Sequence, residues 1–422
     1  MDRPRAEASE GRPSTDRDRF PFAEASANLP LRGVTVIDAG TMVAGPFVGT
    51  LMGDFGADVI KIEHPTQGDG QRRLEPIKDG IPLWWKVIAR NKRCVTLDLS
   101  KPDGAEVFLD LVRHADVVVE NYRPGTLERW GLGYERLAEV TPRLILLRIS
   151  GYGQTGPYSA RPGFGRVAEA MGGLSNLIGE PDGPPMTPGV PLGDFISGLL
   201  GAYAVMVALH HRDRQGEGQT IDLALYEAVF RLLEFDAIQL DQLGTVHTRL
   251  GNRVAHVAPS STFRTSDAVY LTLAASTQSI WLRLCRAMQR EDLPADPRFV
   301  DNSARLKHSE EINGLVGQWI AERKHHEVEE AFDRHEVAYS RIYDAADMFE
   351  DPHFLARKVL LRVRDRELGD AVVPSVVPKL SRSPGAIDHL GPTLGAHNEE
   401  IYRGKLGYPA EKLERLRRAG VI

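Results

Sequence analysis

The sequence predicts an α/β fold with a Rossmann-like parallel sheet in a large domain and a smaller α+β domain beside it. Short apolar runs typical of buried strands alternate with helical segments over about the first 150 residues. The chain has 422 residues, more than the roughly 250 to 300 that one core usually holds. The residue pattern also changes after about Arg231, where charged helices and a lone strand follow.

The first strand–helix–strand unit begins near residue 34. Val34–Asp38 is an apolar strand, and a helix begins at Ala44 with proline in its first turn. This helix ends near Phe55, and the strand Val59–Ile62 follows. Strands that alternate with helices in this way imply a parallel sheet covered on both faces.

The same alternation continues with the helix Gly104–His114 and the strands Asp116–Glu120 and Leu144–Ile149. Residues 151–193 are rich in glycine and proline, which predicts a long ordered loop of the kind that often carries function. The run Ile196–His211 is apolar on nearly every side, which predicts a buried helix.

The later part of the chain completes the domain organisation. We expect a disordered tail over residues 1–29, the first part of a large catalytic domain over 30–230, a small domain over 231–340, and a return to the large domain over 341–422. The strand Val269–Leu273 and the helices of Glu310–Phe332 belong to the small domain.

Composition excludes several classes of protein. A net charge of −6 with 26% charged residues offers no basic surplus for nucleic acid. The two cysteines, Cys94 and Cys285, have no metal-ligand spacing near them, so we expect neither a disulfide framework nor a metal site. No stretch reaches about 18 uninterrupted apolar residues, and the N-terminus lacks an apolar leader, so we expect a cytoplasmic protein with no membrane span.

Two strand-to-loop junctions are candidate ligand sites. Gly40–Gly45 can turn backbone N–H groups toward a phosphate at a helix N-terminus, although it matches neither G-x-G-x-x-G nor a P-loop. Asn121–Arg129 follows a strand directly, at the sheet edge where open α/β folds bind ligands. There Tyr122 can stack on an adenine and Arg129 can bind a phosphate. An ordinary helix start and a solvated loop are the alternatives.

Asp194 is the third candidate. An aspartate just before a buried apolar helix is by default an N-cap. Yet Gly193 and Gly198 leave room for a ligand, and a helix N-terminus favours the ionised carboxylate that a nucleophile needs. Both interpretations remain open at this point. The chain contains no G-x-S-x-G, so a serine hydrolase lacks its nucleophile elbow.

Taken in order, a set of short segments resembles the class III CoA-transferases, the family of formyl-CoA and carnitine CoA-transferases that also includes 2-methylacyl-CoA racemase. The resemblance extends from about Leu31 to Ile422. The segments that carry it are Leu31–Asp38, Ala44–Pro46, Gly56–Glu63, Asn91–Arg93, Glu120–Gly125, Gly151–Pro157, Pro181–Pro185, Gly193–Asp194, Gly216–Gln219, Asp351–His353 and Leu416–Ile422.

The resemblance implies that Asp194 is the catalytic nucleophile of an acyl-CoA:carboxylate CoA-transferase, acting through an aspartyl anhydride and an aspartyl-CoA thioester. It implies that the enzyme forms an interlocked homodimer. It also implies that no cofactor is needed, because coenzyme A is a substrate. His64 stands where several relatives carry arginine, and Gly165 replaces an acidic residue common in the family. The positions that match the family's CoA contacts are Val43, Ala44, His64, Leu97, Asn121, Tyr122 and Arg129.

A racemase and a CoA-binding protein without turnover are the two alternative functions. A racemase on the same fold needs a histidine at the position of Phe164, and phenylalanine cannot move a proton. A CoA-binding protein without turnover would use Asp194 only as a cap. The donor and acceptor acids stay open. Succinyl-CoA and another dicarboxylic acid are favoured because Arg148, Arg161 and Arg166 flank the predicted substrate loop and can pair with a distal carboxylate, and simple solvation of these arginines is the alternative.

Overall fold

Strands and helices alternate through the computed structural model, which describes residues 17–24 and 28–422. The strands, in chain order, are β1 Thr35–Asp38, β2 Asp58–Glu63, β3 Ile77–Lys78, β4 Ile81–Pro82, β5 Lys92–Thr96, β6 Val117–Glu120, β7 Ile145–Ser150, β8 Gln219–Ala224, β9 Ser260–Arg264, β10 Tyr270–Ala274, β11 Tyr339–Arg341, β12 Leu360–Asp365 and β13 Gly369–Pro374. The α-helices are α1 Ala44–Asp54, α2 Leu83–Ile88, α3 Pro102–Val112, α4 Thr126–Arg129, α5 Tyr134–Val140, α6 Gly165–Met171, α7 Leu174–Leu177, α8 Leu192–Gln215, α9 Leu225–Phe230, α10 Glu234–Leu243, α11 Gln278–Ala287, α12 Asn302–Lys307, α13 Ser309–Ala321, α14 His325–Arg334, α15 Ala345–Glu350, α16 Pro352–Ala356 and α17 Ala410–Arg418.

The main sheet contains six parallel strands in the order β5-β2-β1-β6-β7-β8. At its centre Val36 of β1 lies opposite Val59 of β2 on one side and Val117 of β6 on the other. Counted along the chain, this is the order of the doubly wound Rossmann fold. The predicted α/β class with a large parallel sheet is therefore confirmed.

Apolar residues cover the sheet on both faces, as parallel sheets require. One face packs Ile37 and Val118 against α3, α5 and the C-terminal helix α17. The other packs Val36 and Val117 against α1 and α8. Neighbouring residues of a strand thus face opposite cores, which is the period of two expected for a strand.

Helix α8 begins earlier and ends later than the predicted Ile196–His211. By length and composition Leu192–Gln215 is the one helix among the described residues able to cross a membrane. It instead packs against α1 and β7 in the large unit, with Val205 and Leu209 in the core. We therefore describe it as a core helix whose remaining face is apolar and exposed.

Part of the predicted N-terminal tail is ordered. Residues 1–16 and 25–27 lie outside the described residues. Phe20 is buried, and the chain beside it pairs with the hairpin β12–β13. Ala23 N donates to Arg362 O at 2.9 Å, and Arg362 N donates to Pro21 O at 2.8 Å. The expectation of disorder is therefore wrong for residues 17–24, because Phe20 and these backbone groups find partners on the hairpin.

The chain forms two compact units. The large one comprises Met1–Leu174, Pro188–Phe235 and Asp351–Ile422. The second comprises Ser175–Thr187 and Asp236–Glu350, whereas the sequence predicted residues 231–340. It contains the antiparallel sheet β11-β10-β9 with α11, α13 and α14 packed around a separate apolar core.

Both cysteines are buried and free, in the environment expected of structural thiols. Burial raises the pKa of the Cys94 thiol well above its usual value and that of Cys285 to about 12. Neither thiol is therefore activated as a nucleophile.

Candidate active site

The two predicted strand-to-loop junctions meet at the point where the strand order reverses. Strands β1 and β6 are neighbours, so the turn after Asp38 and the loop after Glu120 leave the same edge of the sheet side by side. In doubly wound folds, ligands bind in the crevice outside this switch point. The two junctions therefore form one candidate ligand site.

The side chain of Asn121 holds the first turn in place. Its Oδ1 accepts a hydrogen bond from Thr41 N at 2.7 Å, and its Nδ2 donates to Thr41 O at 2.8 Å. Both polar atoms of the amide are thus used by one residue of the turn. Asn121 shapes the segment that precedes Val43 and Ala44.

Buried charges fix the same turn from below. Asp69 Oδ1 accepts from Met42 N at 3.0 Å, and Asp69 Oδ2 lies 3.0 Å from the fully buried Lys61 Nζ. Lys61 also donates to Gly40 O. Burial raises the pKa of Asp69, but the Lys61 charge and backbone donors outweigh it and leave that pKa lowered, so the carboxylate is ionised.

Asp194 lies in the first turn of α8, at the third helical position. The N-cap is Pro191, and no side chain caps this end. The N-cap interpretation of Asp194 was therefore wrong, because the helix begins two residues earlier, at Leu192. A carboxylate inside the first turn remains close to the unpaired N–H groups of the helix end.

The start of α8 packs directly on the first turn of the sheet. A Cβ atom on Gly198 would lie 2.9 Å from Ala44 O, so only glycine allows this approach. One turn earlier, the ring of Phe195 meets Phe47 edge-on at 4.9 Å between centroids. These contacts bring Asp194 and the predicted CoA contacts Val43 and Ala44 to the same part of the large unit.

The environment of Asp194 raises its pKa to about 6. Burial is the largest cause, followed by the negative charge of Glu169, while the Gly165 N–H that donates to the carboxylate lowers it. The helix N-terminus was expected to favour the ionised form. Burial and the second carboxylate outweigh that effect, so a proton binds Asp194 more readily than an ordinary aspartate.

Two residues around Asp194 were not predicted to act in the site. Gly165, the first residue of α6, lies so close that a Cβ atom would overlap Asp194 Oδ2. Glu169, one helical turn later, is 1% exposed and its Oε1 accepts from Gly193 N at 2.9 Å. The spacing of four residues is the sequence signal that places both on one face of α6.

The other predicted CoA contacts are arranged along the same edge of the sheet. Val43, Ala44 and Leu97 have buried side chains, so a ligand can reach only their backbone atoms. The N–H of Leu97 is already bonded to Glu63 O at 2.7 Å. Its carbonyl is the group left for a ligand.

His64 is partly exposed, with 43% of its side chain accessible. Its Nδ1 accepts from Thr66 N at 3.3 Å, so its proton lies on Nε2, which is 3.9 Å from Asp98 Oδ2. The imidazole can therefore donate to a ligand only from Nε2. The acidic Asp98 beside it makes this a less favourable phosphate contact than an arginine would be.

Tyr122 and Arg129 occupy the loop after β6. The Tyr122 ring packs edge-on against Trp130 at 5.1 Å between centroids. The backbone N–H of Tyr122 donates to Glu120 Oε2 at 2.7 Å. Arg129 is exposed, and its Nη2 donates to Thr126 Oγ1 at 2.8 Å. Arg129 keeps free donors for a phosphate, whereas Tyr122 is partly engaged in the core.

The three arginines proposed for a substrate carboxylate differ in their surroundings. Arg148 is paired with Glu120 at 2.8 Å and Glu128 at 2.7 Å, so it is part of the loop scaffold. Arg161 stacks on the Tyr158 ring at 3.6 Å. Arg166 is exposed, directly after Gly165, and makes no ion pair within the described residues.

Comparison with known proteins identifies the family. The model of CoA-transferase family III matches residues 31–398. The chain belongs to CoA-transferase family III. Within this family, the succinyl-CoA–D-citramalate CoA-transferase of Chloroflexus aurantiacus is 42% identical over 394 residues, which is 93% of this chain and 98% of that protein. The beta subunit of the succinyl-CoA–L-malate CoA-transferase of the same organism is 44% identical over 401 residues, 94% of this chain and 99% of that one.

Solved structures support the same fold. A CAIB/BAIF family protein from Brucella suis superposes with a TM-score of 0.79 at 33% identity, over 90% of this chain and all of that one. Rv3272 from Mycobacterium tuberculosis superposes with a TM-score of 0.77 at 28% identity, over 90% of this chain and 99% of that one. The chain is therefore a CoA-transferase enzyme, and the binding-only alternative is wrong.

Proposed function

We propose that this family III enzyme transfers CoA from succinyl-CoA to another small dicarboxylic acid, with malate and citramalate as the first candidates. The observation that carries the proposal is that relatives of 42% and 44% identity, covering over nine-tenths of the chain, are named for succinyl-CoA with D-citramalate or L-malate. A further relative, from Agrobacterium fabrum, is a succinate–glutarate CoA-transferase at 34% identity. Dicarboxylic acids are the shared class.

The proposed nucleophile is Asp194. Its carboxylate attacks the thioester carbonyl of succinyl-CoA, the C–S bond breaks, and CoA thiolate leaves a mixed anhydride on the enzyme. The thiolate then attacks the aspartyl carbonyl, which releases succinate and leaves an aspartyl-CoA thioester. The acceptor carboxylate displaces the thiolate to form a second anhydride. Attack of the thiolate on the acceptor carbonyl gives the new acyl-CoA and restores Asp194.

The surroundings of Asp194 support this chemistry. A half-buried carboxylate is partly stripped of water, which makes it more reactive and protects an anhydride from hydrolysis. The N–H of Gly165 that donates to the carboxylate is placed to stabilise negative charge on the aspartyl oxygen when the carbonyl is attacked. The aromatic pair Phe195 and Phe47 excludes water from the adjacent side.

For CoA we propose contacts along the edge that contains β1, β2, β5 and β6. Backbone groups of Val43, Ala44 and Leu97 would bind the pantetheine arm. The side chains of His64, Tyr122 and Arg129 would bind the adenosine phosphate end. Asn121 would act through Thr41, since both of its polar atoms are already bonded there. No separate cofactor is proposed, because the thiolate and Asp194 supply every group that the exchange needs.

For the distal carboxylate of a dicarboxylic substrate we propose Arg166. It follows Gly165 directly and offers a guanidinium without an ion pair among the described residues. Arg148 is not proposed again for this role, because Glu120 and Glu128 occupy its donors. The racemase alternative is not favoured, because Phe164 has no proton to move.

We also propose a homodimer with interlocked subunits. Four apolar residues of α8 follow the spacing of one helix face, and each is at least 42% exposed: Leu199, Tyr203, Met206 and Val207. An exposed apolar stripe of this size is typical of a protein interface. Two relatives are named as alpha and beta subunits of one transferase. The experiment therefore has to distinguish a homodimer from a complex with a second type of chain.

The direct test is an exchange assay with purified protein. Succinyl-CoA is incubated with isotope-labelled succinate, L-malate, D-citramalate, mesaconate or glutarate, or with the monocarboxylic acid butyrate, and the new CoA thioester is measured by mass spectrometry. Asp194→Asn is the matched control, since it keeps the shape and loses the nucleophile. We expect exchange with at least one hydroxylated or unsaturated dicarboxylate and a loss of about 10³-fold or more in the variant.

A trapping experiment tests the mechanism separately. Hydroxylamine added during turnover converts an aspartyl thioester or anhydride into a hydroxamate at Asp194, which peptide mass mapping locates. Turnover without label at Asp194, or full activity of Asp194→Asn, would overturn the proposed mechanism. Exchange restricted to monocarboxylic acids would overturn the proposed substrate class. A need for a second chain would appear as activity only after its addition.

A further inference from the structure

The nucleophile contacts a glycine where a side chain cannot fit. Gly165 and Asp194 lie at the starts of α6 and α8, and a Cβ atom on Gly165 would overlap Asp194 Oδ2. An acidic residue at position 165 would therefore require the side chain of Asp194 to move. A second carboxylate near the nucleophile therefore has to come from another position.

Glu169 supplies that carboxylate. It follows Gly165 by four residues, hence lies on the same face of α6, and it is 1% exposed. Its Oε1 accepts a hydrogen bond at 2.9 Å from the N–H of Gly193, the residue before Asp194. A Cβ atom on Gly193 would lie 3.3 Å from Glu169 Cγ and 2.9 Å from Gly165 O, so the two helix ends pack closely.

The negative charge of Glu169 has no structural partner. No ion pair to it occurs within residues 17–24 and 28–422. A glutamine would fill the same volume and accept the same hydrogen bond from Gly193. Burying a carboxylate without a cation is costly compared with burying an amide. The charge therefore needs a reason beyond packing.

We propose that Glu169 is a positioning residue that holds Gly193 and, through its charge, favours acylation of Asp194. The proposal rests on the proposed role of Asp194 as nucleophile. Two carboxylates at this site repel each other while Asp194 is free. In the anhydride and in the aspartyl-CoA thioester Asp194 is neutral, so the repulsion is relieved as each covalent state forms. Glu169 thereby raises the free enzyme in energy relative to its covalent intermediates.

Other charges near α6 are weak competitors for this role. The helices packed against it are α8 and α9. On α8, the titratable side chains before His210, at the far end of the helix, are Asp194 and the exposed Tyr203. On α9, Glu227 is exposed and accepts from the Tyr226 hydroxyl. On α6 itself, Arg166 is exposed.

The test compares Glu169→Gln with the native enzyme in self-exchange between succinyl-CoA and isotope-labelled succinate. Removing the charge makes Asp194 easier to ionise, so we expect the acid limb of kcat/KM to move down by about one pH unit. At pH 8 we expect kcat to fall about 10-fold, and intact-protein mass spectrometry to find less aspartyl-CoA adduct. Glu227→Gln on α9 is the matched control, expected to leave the profile unchanged.

Glu169→Asp and Glu169→Ala separate charge from placement. The aspartate keeps a charge and should retain most of the native acid limb. The alanine loses both the charge and the acceptor for Gly193, so its kcat should fall below that of the glutamine variant. A Glu169→Gln enzyme with native acid limb, kcat and adduct level would overturn the proposal. Full exchange by Asp194→Asn would instead overturn the proposed function on which it rests.

Discussion

Asp194 combines two requirements that oppose each other. As the proposed nucleophile it has to be ionised, yet burial and the charge of Glu169 raise its pKa to about 6. A carboxylate held in this way is more basic, and so a stronger nucleophile, than an ordinary aspartate. The same placement stores unfavourable energy in the folded enzyme whenever Asp194 is ionised.

This conflict predicts a stability effect of opposite sign to the activity effect. Asp194 has a pKa of 3.8 unfolded and about 6 folded, so its ionised form destabilises the fold at pH values above about 6. Asp194→Asn removes that charge and should raise the free energy of unfolding at pH 8 by about 1 to 2 kcal/mol, discounted for partial exposure. Exchange activity should be lost. Thermal denaturation at pH 8 measures the gain.

The pH dependence provides the control. At pH 5 the native Asp194 is largely protonated in the folded state, so the advantage of Asp194→Asn should fall to about half of its value at pH 8. In parallel, kcat/KM of the native enzyme should decrease as the pH falls through about 6, because the nucleophile takes up a proton. A variant that is less stable than the native protein at pH 8 would contradict the argument.

The sequence indicated Asp194 as a candidate nucleophile, which stays a prediction, but it did not indicate the surroundings of this residue. The motif around Gly193–Asp194 and the resemblance to a family pointed to the residue, whereas its position relative to the helix start was misjudged. An apolar run does not reveal that the helix already begins at Leu192. Gly165 and Glu169 lie more than twenty positions earlier, so their contact with Asp194 depends on how α6 packs on α8, which no local pattern encodes.

At the scale of elements, the loop after β6 is fixed by one arginine. Arg148 of β7 reaches Glu120 at the end of β6 and Glu128 in α4, and so ties two strands and a short helix together. Glu120 is 1% exposed, and burial raises its pKa to about 7 although Arg148 lowers it. The loop that contains Asn121 and Tyr122 therefore depends on this pair.

Removal of Arg148 should destabilise the protein. Arg148→Met leaves Glu120 buried without its cation, and breaking a buried pair in this way costs about 3 kcal/mol or more. The cost should be largest at pH 8 and smaller at pH 5.5, where Glu120 takes up a proton and its burial is no longer opposed by charge. Chemical denaturation at the two pH values measures both quantities.

Arg161→Met is the matched control for this experiment. Arg161 is exposed and stacks on Tyr158, so its replacement should change the free energy of unfolding by no more than about 0.5 kcal/mol. Equal destabilisation by the two variants would contradict the scaffold role of Arg148. A stable Arg148→Met enzyme whose only defect is a weaker affinity for dicarboxylic acids would also contradict the scaffold role. That result would instead support the substrate-binding role suggested by the sequence.

Several elements of the large unit were predictable because their periodicity is strong. The strands β1, β2, β6 and β7 and the helices α1 and α3 lie within a few residues of the predicted ranges. Strand β8 was missed. Gln219–Ala224 lies at the edge of the sheet with mostly exposed or half-exposed residues, and its hydrogen bonds to β7 define it better than its composition does. The hairpin β12–β13 was missed for the same reason.

For the whole molecule, the exposed face of α8 is the feature that the monomer leaves unexplained. Helix α8 contains Asp194, the proposed nucleophile, at its start and an apolar stripe along its outer side. In water such a stripe favours association with a complementary surface. The proposed interlocked homodimer leads to a specific expectation about the exchange of subunits. The cytoplasmic location predicted from the sequence stays a prediction.

An interlocked homodimer should not exchange subunits unless it unfolds. Its mass should be about 93 kDa, twice the 46.7 kDa of one chain, and independent of dilution to nanomolar concentration. Native mass spectrometry of a mixture of tagged and untagged enzyme should find the two parental dimers after days of incubation. A mixture that is unfolded and refolded together should contain the hybrid as well. Free exchange would indicate an ordinary dimer, and a 46.7 kDa species would overturn the proposed dimer, leaving the α8 stripe to a different partner.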